Sequence, residues 1–256
     1  MNLFGIIGRS TINFLQVIGR ISIFTYKAIL SCILPPYYFQ IFLKQIVEIG
    51  YYSLPVVGLT TLFSGMVLAL QSHTGFTRFS AEGAVATVVA LSLTRELGPV
   101  LAGLMVSGRI GASIAAEIST MRVTEQIDAL KTLATDPFKY LIAPRIVASI
   151  LCLPTLVLVG DLVGIYGGYL VGVYKLGFNS TTYLDQTTIY LQPIDIISGL
   201  VKAAVFGFLI ALMGCYHGYH SGRGAQGVGA ATTNAVVSSS ILILITNYLL
   251  TELFFV

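Results

Sequence analysis

The hydrophobic positions of this chain form long runs that are nearly free of charge. Three runs lack any charged residue over the roughly 20 positions that a helix needs to cross a bilayer core: 49–77, 203–222 and 224–251. Two further apolar stretches, 83–117 and 146–174, carry a few ionisable residues. The pattern predicts five membrane spans within one domain at 46–256.

Residues 1–45 show a different pattern, that of an amphipathic helix and a connector. Polar and basic side chains recur along one helical face: Arg9, Asn13, Gln16, Arg20 and Lys27. Apolar residues occupy the other faces, as in helices that lie in the membrane interface. Pro35 and Pro36 then end the helix. We predict an interfacial helix here, and an imperfect sixth span is the alternative.

Composition agrees with an all-α integral membrane protein. Hydrophobic residues make up 55% of the 256 residues and charged residues 10%, against about 25% charged in soluble domains. With five spans, nine basic residues fall on the side of the N-terminus and the 118–145 loop, and two fall on the other side. The excess predicts a cytoplasmic N-terminus and loop, and an external C-terminus. The net charge of +3 reflects this topology, and no basic stripe indicates nucleic-acid binding.

Small residues recur every fourth position in three spans, which predicts close helix packing in lipid. The rows are Gly103, Ser107, Gly111 and Ala115; Gly160, Gly164, Gly168 and Gly172; and Gly199, Ala203, Gly207 and Ala211.

The 118–145 loop contains the pattern of a short helix. Thr124 is a candidate N-cap, and Glu125 and Asp128 fall in the first turn, where the helix dipole favours acids. Ile127, Leu130 and Ala134 share an apolar face that, if exposed, indicates a docking element. The alternative is an ordinary surface helix under the bundle.

Arg95 and Glu96 lie inside the second span, where charges are costly and indicate function. As neighbours they point in different directions and do not neutralise each other. Pro99 cannot donate a hydrogen bond to the carbonyl of Arg95, which frees that carbonyl and favours a kink. We predict a polar site for a lipid headgroup, with snorkelling to the interface as the alternative.

Asp161 and Lys202 are two further ionisable residues within spans, and they either pair with each other or line a cavity. Together with Glu96 they define a rival function, an ion-coupled secondary carrier. Such carriers usually contain repeated halves, and five spans do not divide evenly. A non-transporting scaffold is a third possibility.

No nucleotide-binding motif stands in a meaningful context. Residues 222–227 match a glycine-rich dinucleotide fingerprint by letter, but they follow a span and no strand. A phosphate-binding loop with Gly-Lys-Ser/Thr is absent from the sequence. We therefore expect no enzyme activity and no cofactor in this chain.

Three stretches carry a family resemblance: RELGPVL at 95–101, GRIGASIAAEI at 108–118 and TMRVTEQIDAL at 120–130. Together they resemble the MlaE-type permease family, the membrane subunits of lipid-transporting ABC transporters. The similarity extends over about the last 210 residues, and 95–145 is its most specific part.

The resemblance implies a homodimer in the bacterial inner membrane that moves phospholipid to or from a periplasmic or membrane-anchored lipid-binding subunit. A separate cytoplasmic ATPase would bind ATP and Mg²⁺. The segment with Thr124, Glu125, Ile127, Asp128 and Leu130 would be the coupling helix that contacts it. Arg95 and Glu96 would lie near a phospholipid cavity between the two copies.

Overall fold

The computed structural model describes residues 3–77 and 84–255, and within these ranges the chain is built from helices and short connections. For residues 3–10, 13 and 14, the backbone alone is described. The α-helices are α1 (Leu3–Ile33), α2 (Phe39–Ile49), α3 (Leu54–Phe76), α4 (Ala84–Ser92), α5 (Gly98–Val106), α6 (Ala112–Val123), α7 (Gln126–Thr132), α8 (Ala143–Leu170), α9 (Ser180–Tyr190), α10 (Pro193–Tyr219) and α11 (Gly224–Phe255).

Wider π-helical turns join several of these helices into continuous rods. Turns at Leu93–Leu97 and Ser107–Gly111 connect α4, α5 and α6, and turns at Phe138–Ile142 and Val171–Lys175 flank α8. A short 3-10 turn, Tyr51–Ser53, joins α2 to α3. As a result, the first predicted span begins ten residues earlier than its charge-free run.

Six segments are long and apolar enough to cross a membrane: Leu15–Ile33, Phe39–Phe76, Ala84–Val123, Phe138–Lys175, Pro193–Tyr219 and Gly224–Phe255. The prediction of an all-α integral membrane protein is confirmed, and the protein is multi-pass. The five predicted spans are all among the six segments. The additional segment, Leu15–Ile33, has the lowest mean hydropathy of the six and is the helix for which an interfacial position was predicted.

Helices α8 and α10 form the centre of the bundle. Helix α8 packs against α3 and α10, and α10 also packs against α6 and α11. The small-residue rows lie in these contacts: a methyl group on Gly65 would stand 2.0 Å from the carbonyl oxygen of Gly164, and one on Gly207 would stand 2.4 Å from that of Ser149. The predicted role of these rows in close packing is confirmed.

Helices α7 and α9 mark the two faces of the membrane domain, because α8 and its flanking π turns separate them. Helix α9 was not predicted. Asn179 caps it by accepting hydrogen bonds from the amides of Thr181 and Thr182. Tyr183 is buried beside Gly168 and Gly172, and this burial raises its pKa to about 12. We refer below to the α7 side and the α9 side.

Candidate functional site

The π turn at Leu93–Leu97 places two charged side chains within the membrane span. The amide of Gly98 donates to the carbonyl of Leu93, five residues earlier, which makes the turn wider than an α-helical one. Pro99 follows and has no amide proton, so it leaves the carbonyl of Arg95 without its usual helical donor. The ammonium of Lys202 donates to that carbonyl at 2.8 Å. The carbonyl predicted to be free is therefore bonded by a side chain from α10.

Arg95 pairs with Asp195, which lies at the start of α10. Both Nε and Nη2 of Arg95 lie 2.7 Å from Oδ1 of Asp195. The other carboxylate oxygen of Asp195 accepts a hydrogen bond from the amide of Gln192 in a capping box. The guanidinium of Arg95 also lies over the ring of Phe255, 4.3 Å from its centroid. The arginine thus links the middle of one span to the beginning and end of two others.

Glu96 pairs with Lys202, and α11 completes the cluster. Nζ of Lys202 lies 2.7 Å from Oε1 of Glu96 and 2.7 Å from the hydroxyl of Thr251. Asn247 donates to Oε2 of Glu96 at 2.8 Å. With the bond to the Arg95 carbonyl, all three ammonium donors of Lys202 are used. Every hydrogen-bond donor of this fully buried lysine side chain therefore has an acceptor.

The charge cluster, comprising Arg95, Glu96, Asp195 and Lys202, is only partly buried. The side chains of Arg95 and Glu96 keep 35% and 36% of their surface exposed, whereas Asp195 and Lys202 keep none. Arg95 and Glu96 are therefore partly exposed next to each other on the α9 side. The buried partner of Arg95 is Asp195, and that of Glu96 is Lys202. Such a surface can bind a ligand that carries both a negative and a positive group.

Asp161 stands apart from this cluster. The pairing of Asp161 with Lys202, one of the two alternatives predicted, does not occur, because the donors of Lys202 are used elsewhere. Asp161 packs against the backbone of Gly98, where an added methyl group would lie 1.9 Å from its Oδ1. That buried oxygen has no hydrogen-bond partner in the described structure.

Helix α7 forms where a short helix was predicted, but its first residues are arranged differently. Thr124 is not the N-cap: its amide and its hydroxyl both donate to the carbonyl of Thr120, so it ends α6. Glu125 precedes α7 in a left-handed conformation, with φ of 61°, and its carbonyl accepts the amides of Asp128 and Ala129. The chain turns at Glu125, and α7 starts there.

The apolar face of α7 is not free. Ile127 is completely buried in the core of the bundle, and Leu130 packs against the same core. Ala134 lies beyond the end of α7, with φ of 56°. Of the two predicted alternatives, an exposed docking stripe and a surface helix under the bundle, Ile127 and Leu130 fit the second, because the bundle itself covers both. Leu133, the residue that follows α7, is a large apolar side chain that is 74% exposed.

The charged side chains of α7 face solvent. Asp128 accepts a hydrogen bond from Lys131 at 2.8 Å, and Arg122 lies 3.8 Å away. The hydrogen bond from Lys131 lowers the pKa of the Asp128 carboxyl and raises the pKa of Lys131. Beside them, a groove of about 280 Å³ lies between α7 and the bundle, lined in part by Met121, Leu130 and Tyr140.

Two contacts fasten the α7 side of the bundle. Arg145, with 3% of its side chain exposed, lies 2.7 Å from Glu117 and donates to the carbonyl of Leu141. Arg109 donates to the hydroxyl of Ser53 at 2.7 Å, which ties the π turn at Ser107–Gly111 to the start of α3. Both Arg109 and Glu117 thus anchor this region.

Comparison with known proteins connects this geometry to a family. The Permease MlaE family model matches residues 42–253. The chain is 67% identical over 255 residues to a probable ABC transporter permease protein of Rickettsia bellii, covering all of this chain and 98% of the relative. It is 35% identical over 257 residues to the intermembrane phospholipid transport system permease protein MlaE of Haemophilus influenzae, with 100% and 98% coverage.

A plant protein is also similar: the chloroplastic protein trigalactosyldiacylglycerol 1 of Arabidopsis thaliana is 40% identical over 213 residues, which cover 83% of this chain and 61% of the relative. The matched residues include every side chain of the charge cluster and all of α7. The chain therefore belongs to the MlaE permease family.

Proposed function

We propose that this chain is the membrane subunit of an ABC transporter that moves phospholipid between the bacterial inner membrane and a periplasmic or membrane-anchored lipid-binding carrier. A separate ATPase subunit binds ATP and Mg²⁺ and supplies the energy. The observation that carries the proposal is the pair of opposite charges, Arg95 and Glu96, presented together within a membrane span. The name of the Haemophilus relative supports phospholipid as the substrate class.

The charge cluster suits a phospholipid headgroup. An arginine binds a phosphate through two parallel hydrogen bonds, and a carboxylate binds an amine. Because Asp195 and Lys202 hold Arg95 and Glu96 from the buried side, the exposed parts of both side chains stay available to a headgroup. The surrounding apolar surface would accommodate acyl chains. In this proposal two copies of the chain enclose the lipid between their first and second spans.

Helix α7 is the element through which we propose that the ATPase acts. The ATPase contacts the exposed side, which includes Glu125, Asp128 and Leu133. Ile127 and Leu130 have a different role from docking, since they pack against the bundle and transmit any displacement of α7 to it. Coupling of this kind requires two bundle arrangements that nucleotide and lipid bias in opposite directions.

The proposal is tested by purification in mild detergent, followed by reconstitution with the lipid carrier. We expect an ATPase subunit to co-purify and lipid transfer to require ATP. Arg95→Gln should slow transfer by about tenfold or more, because a hydrogen bond to a charged group contributes about 1.5–3 kcal/mol. Lys175→Gln, an equal loss of charge at an exposed residue near the α9 side, should leave the transfer rate unchanged.

A chain that purifies without an ATPase and moves its substrate in response to a proton gradient would instead be a secondary carrier. The contacts of Lys202 argue against that alternative, because its ammonium has no donor left for Asp161 and the three residues form no single ion site.

A further inference from the structure

A second candidate lipid site lies on the α7 side, far from the charge cluster along the membrane normal. The connector between α1 and α2 crosses the π turn at Phe138–Ile142 and the first turn of α8, and a cavity of about 260 Å³ remains between them. A neighbouring hollow of about 330 Å³ shares Tyr37, Tyr38 and Phe39 with it. We call these two spaces together the connector cavity.

The lining of the connector cavity is mostly apolar, with one charge. Phe42, Ala143 and Val147 contribute apolar surface, and Lys139 contributes an ammonium. Nζ of Lys139 donates to the carbonyl of Pro35 at 2.6 Å. No carboxylate of residues 3–77 or 84–255 lies within 4.0 Å of it. The nearby acid, Asp136, instead accepts a hydrogen bond from the amide of Phe138.

The ammonium of Lys139 therefore has an unneutralised positive charge and two donors that the Pro35 bond does not use. A charge placed at the edge of an apolar cavity is matched by an anionic group attached to an apolar chain. Tyr38 and Tyr140, whose rings meet edge to face at 4.9 Å, add two phenol hydroxyls near the same space. Phosphate oxygens would accept hydrogen bonds from both kinds of donor.

The position of the connector cavity in the bundle indicates that the anionic group would come from a membrane lipid. The cavity lies where three of the segments that are long and apolar enough to cross a membrane have their ends, those that finish at Ile33 and begin at Phe39 and Phe138. Tyr37 and Phe39 at its rim are 68% and 66% exposed. Large exposed aromatic rings at span ends are typical of the headgroup layer of a bilayer. The cavity thus opens where lipid headgroups lie.

We propose that the connector cavity binds an anionic glycerophospholipid of the adjacent leaflet, with one acyl chain in the apolar part and the phosphate at Lys139. This lipid is not the transported one, since Arg95 and Glu96 lie on the α9 side. Tyr140 lines both the connector cavity and the groove beside α7. The bound lipid therefore contacts a residue that also lines the groove beside α7.

Tryptophan fluorescence provides a direct test, because the chain contains no tryptophan. In a Phe39→Trp variant of the full chain, the single indole lies at the cavity rim and reports brominated lipid by quenching. We expect brominated phosphatidylglycerol to bind about fivefold more tightly than brominated phosphatidylcholine, the ratio for one lysine attracting one anionic lipid.

Substitutions in the Phe39→Trp background separate charge from folding. Lys139→Gln should remove the preference for phosphatidylglycerol, and Lys139→Arg should keep it. Lys175→Gln, at the other end of the rod that contains α8, should also keep it. Val147→Phe should weaken the quenching by both lipids, because the added ring fills the apolar part of the cavity.

Three results would overturn the proposal: equal affinity for the two lipids, the same loss from Lys139→Gln and Lys175→Gln, or displacement of phosphatidylglycerol by inorganic phosphate. The last result would identify a site for a soluble anion. None of these measurements involves transport, so they test the lipid site independently of the proposed transporter function.

Discussion

The charge cluster and helix α7 both contain lysine and acidic side chains, but they hold them in opposite ways. In the cluster, Asp195 and Lys202 are fully buried, and each is bonded to a partner from another part of the chain. In α7, Asp128 and Lys131 are exposed, and they bond to each other three residues apart. One set joins three spans, whereas the other set joins nothing beyond its own helix and the end of α6.

The difference assigns separate tasks to the two regions. An unpaired charge is expensive in lipid, and each charge of the cluster has a partner of opposite sign. The cluster therefore contributes to folding as well as to the proposed ligand binding. Exposed pairs contribute little to folding, since water screens them. The charges of α7 are free to exchange partners with another protein at small cost to the bundle.

Lys202→Met gives the largest expected effect. The substitution leaves Glu96 without its cation and removes three hydrogen bonds, so we expect a loss of about 3 kcal/mol in the free energy of unfolding, the lower end of the range for broken buried pairs. Glu96 is still one-third exposed, which limits the penalty. Equilibrium unfolding in mixed micelles measures it.

The double variant Lys202→Met with Glu96→Gln is the control. Removing both charges should recover most of the lost stability. A double variant as unstable as Lys202→Met alone would mean that the packing of the lysine chain, and not its charge, holds the cluster together.

Gly65→Ala tests whether helix packing, independent of either charged region, stabilises the bundle. Its methyl group would meet the carbonyl oxygen of Gly164, so α3 and α8 must separate, and we expect a loss of about 2 kcal/mol. Gly58→Ala on the same helix is the matched control, because no atom lies within 4 Å of the added methyl there. Equal stability of the two variants in thermal unfolding would contradict the close contact between α3 and α8.

Asp128→Asn gives the smallest expected effect on folding. The midpoint of thermal unfolding should not change measurably, because the pair is exposed, whereas the amount of co-purified ATPase should fall. The pKa of Asp128 in the folded protein lies below the ordinary pKa of an aspartate. The ion pair is therefore complete at any pH above the ordinary pKa, and it is lost only as the pH falls through the lower pKa of the folded state. ATPase binding through Asp128 should therefore be constant across the neutral pH range. A large drop in thermal stability would instead show that the pair of Asp128 and Lys131 contributes to folding.

Features with a local signal were predictable from the sequence. Charge-free runs gave the spans, the fourfold spacing of small residues indicated close packing, and Pro99 indicated the carbonyl of Arg95 that lacks a helical donor. The family motifs indicated the MlaE permease family, whose model matches residues 42–253. Each of these features depends on residues within a few turns of one another.

Features that depend on which helix faces meet were not predictable in the same way. Asp195 lies 100 positions from Arg95, and Thr251 lies 155 positions from Glu96. The capping pattern around Pro193 and Asp195 was a detectable signal for the start of α10. It did not indicate that Asp195 would also pair with Arg95. The apolar face of α7 was identified correctly as a surface that needs cover. Its pattern could not distinguish cover by the bundle from cover by a partner.

The π turn at Leu93–Leu97 also determines how the helical rod of α4, α5 and α6 would respond to the deletion of one residue. A wide turn contains one residue more than the α-helix it interrupts, so deletion of a single codon there could be absorbed by reverting to regular helical geometry. The segments on either side would then keep nearly the same relative orientation, because a π turn covers with one more residue about the same rotation as an α-helical turn. Within the turn, the deletion would shift Arg95 or Glu96 from its present position. Arg95 and Glu96 could no longer both reach their partners on α10, although the span would keep its length and hydrophobicity. A frame-preserving lesion of three nucleotides would thus leave an inserted protein whose binding surface is mispositioned.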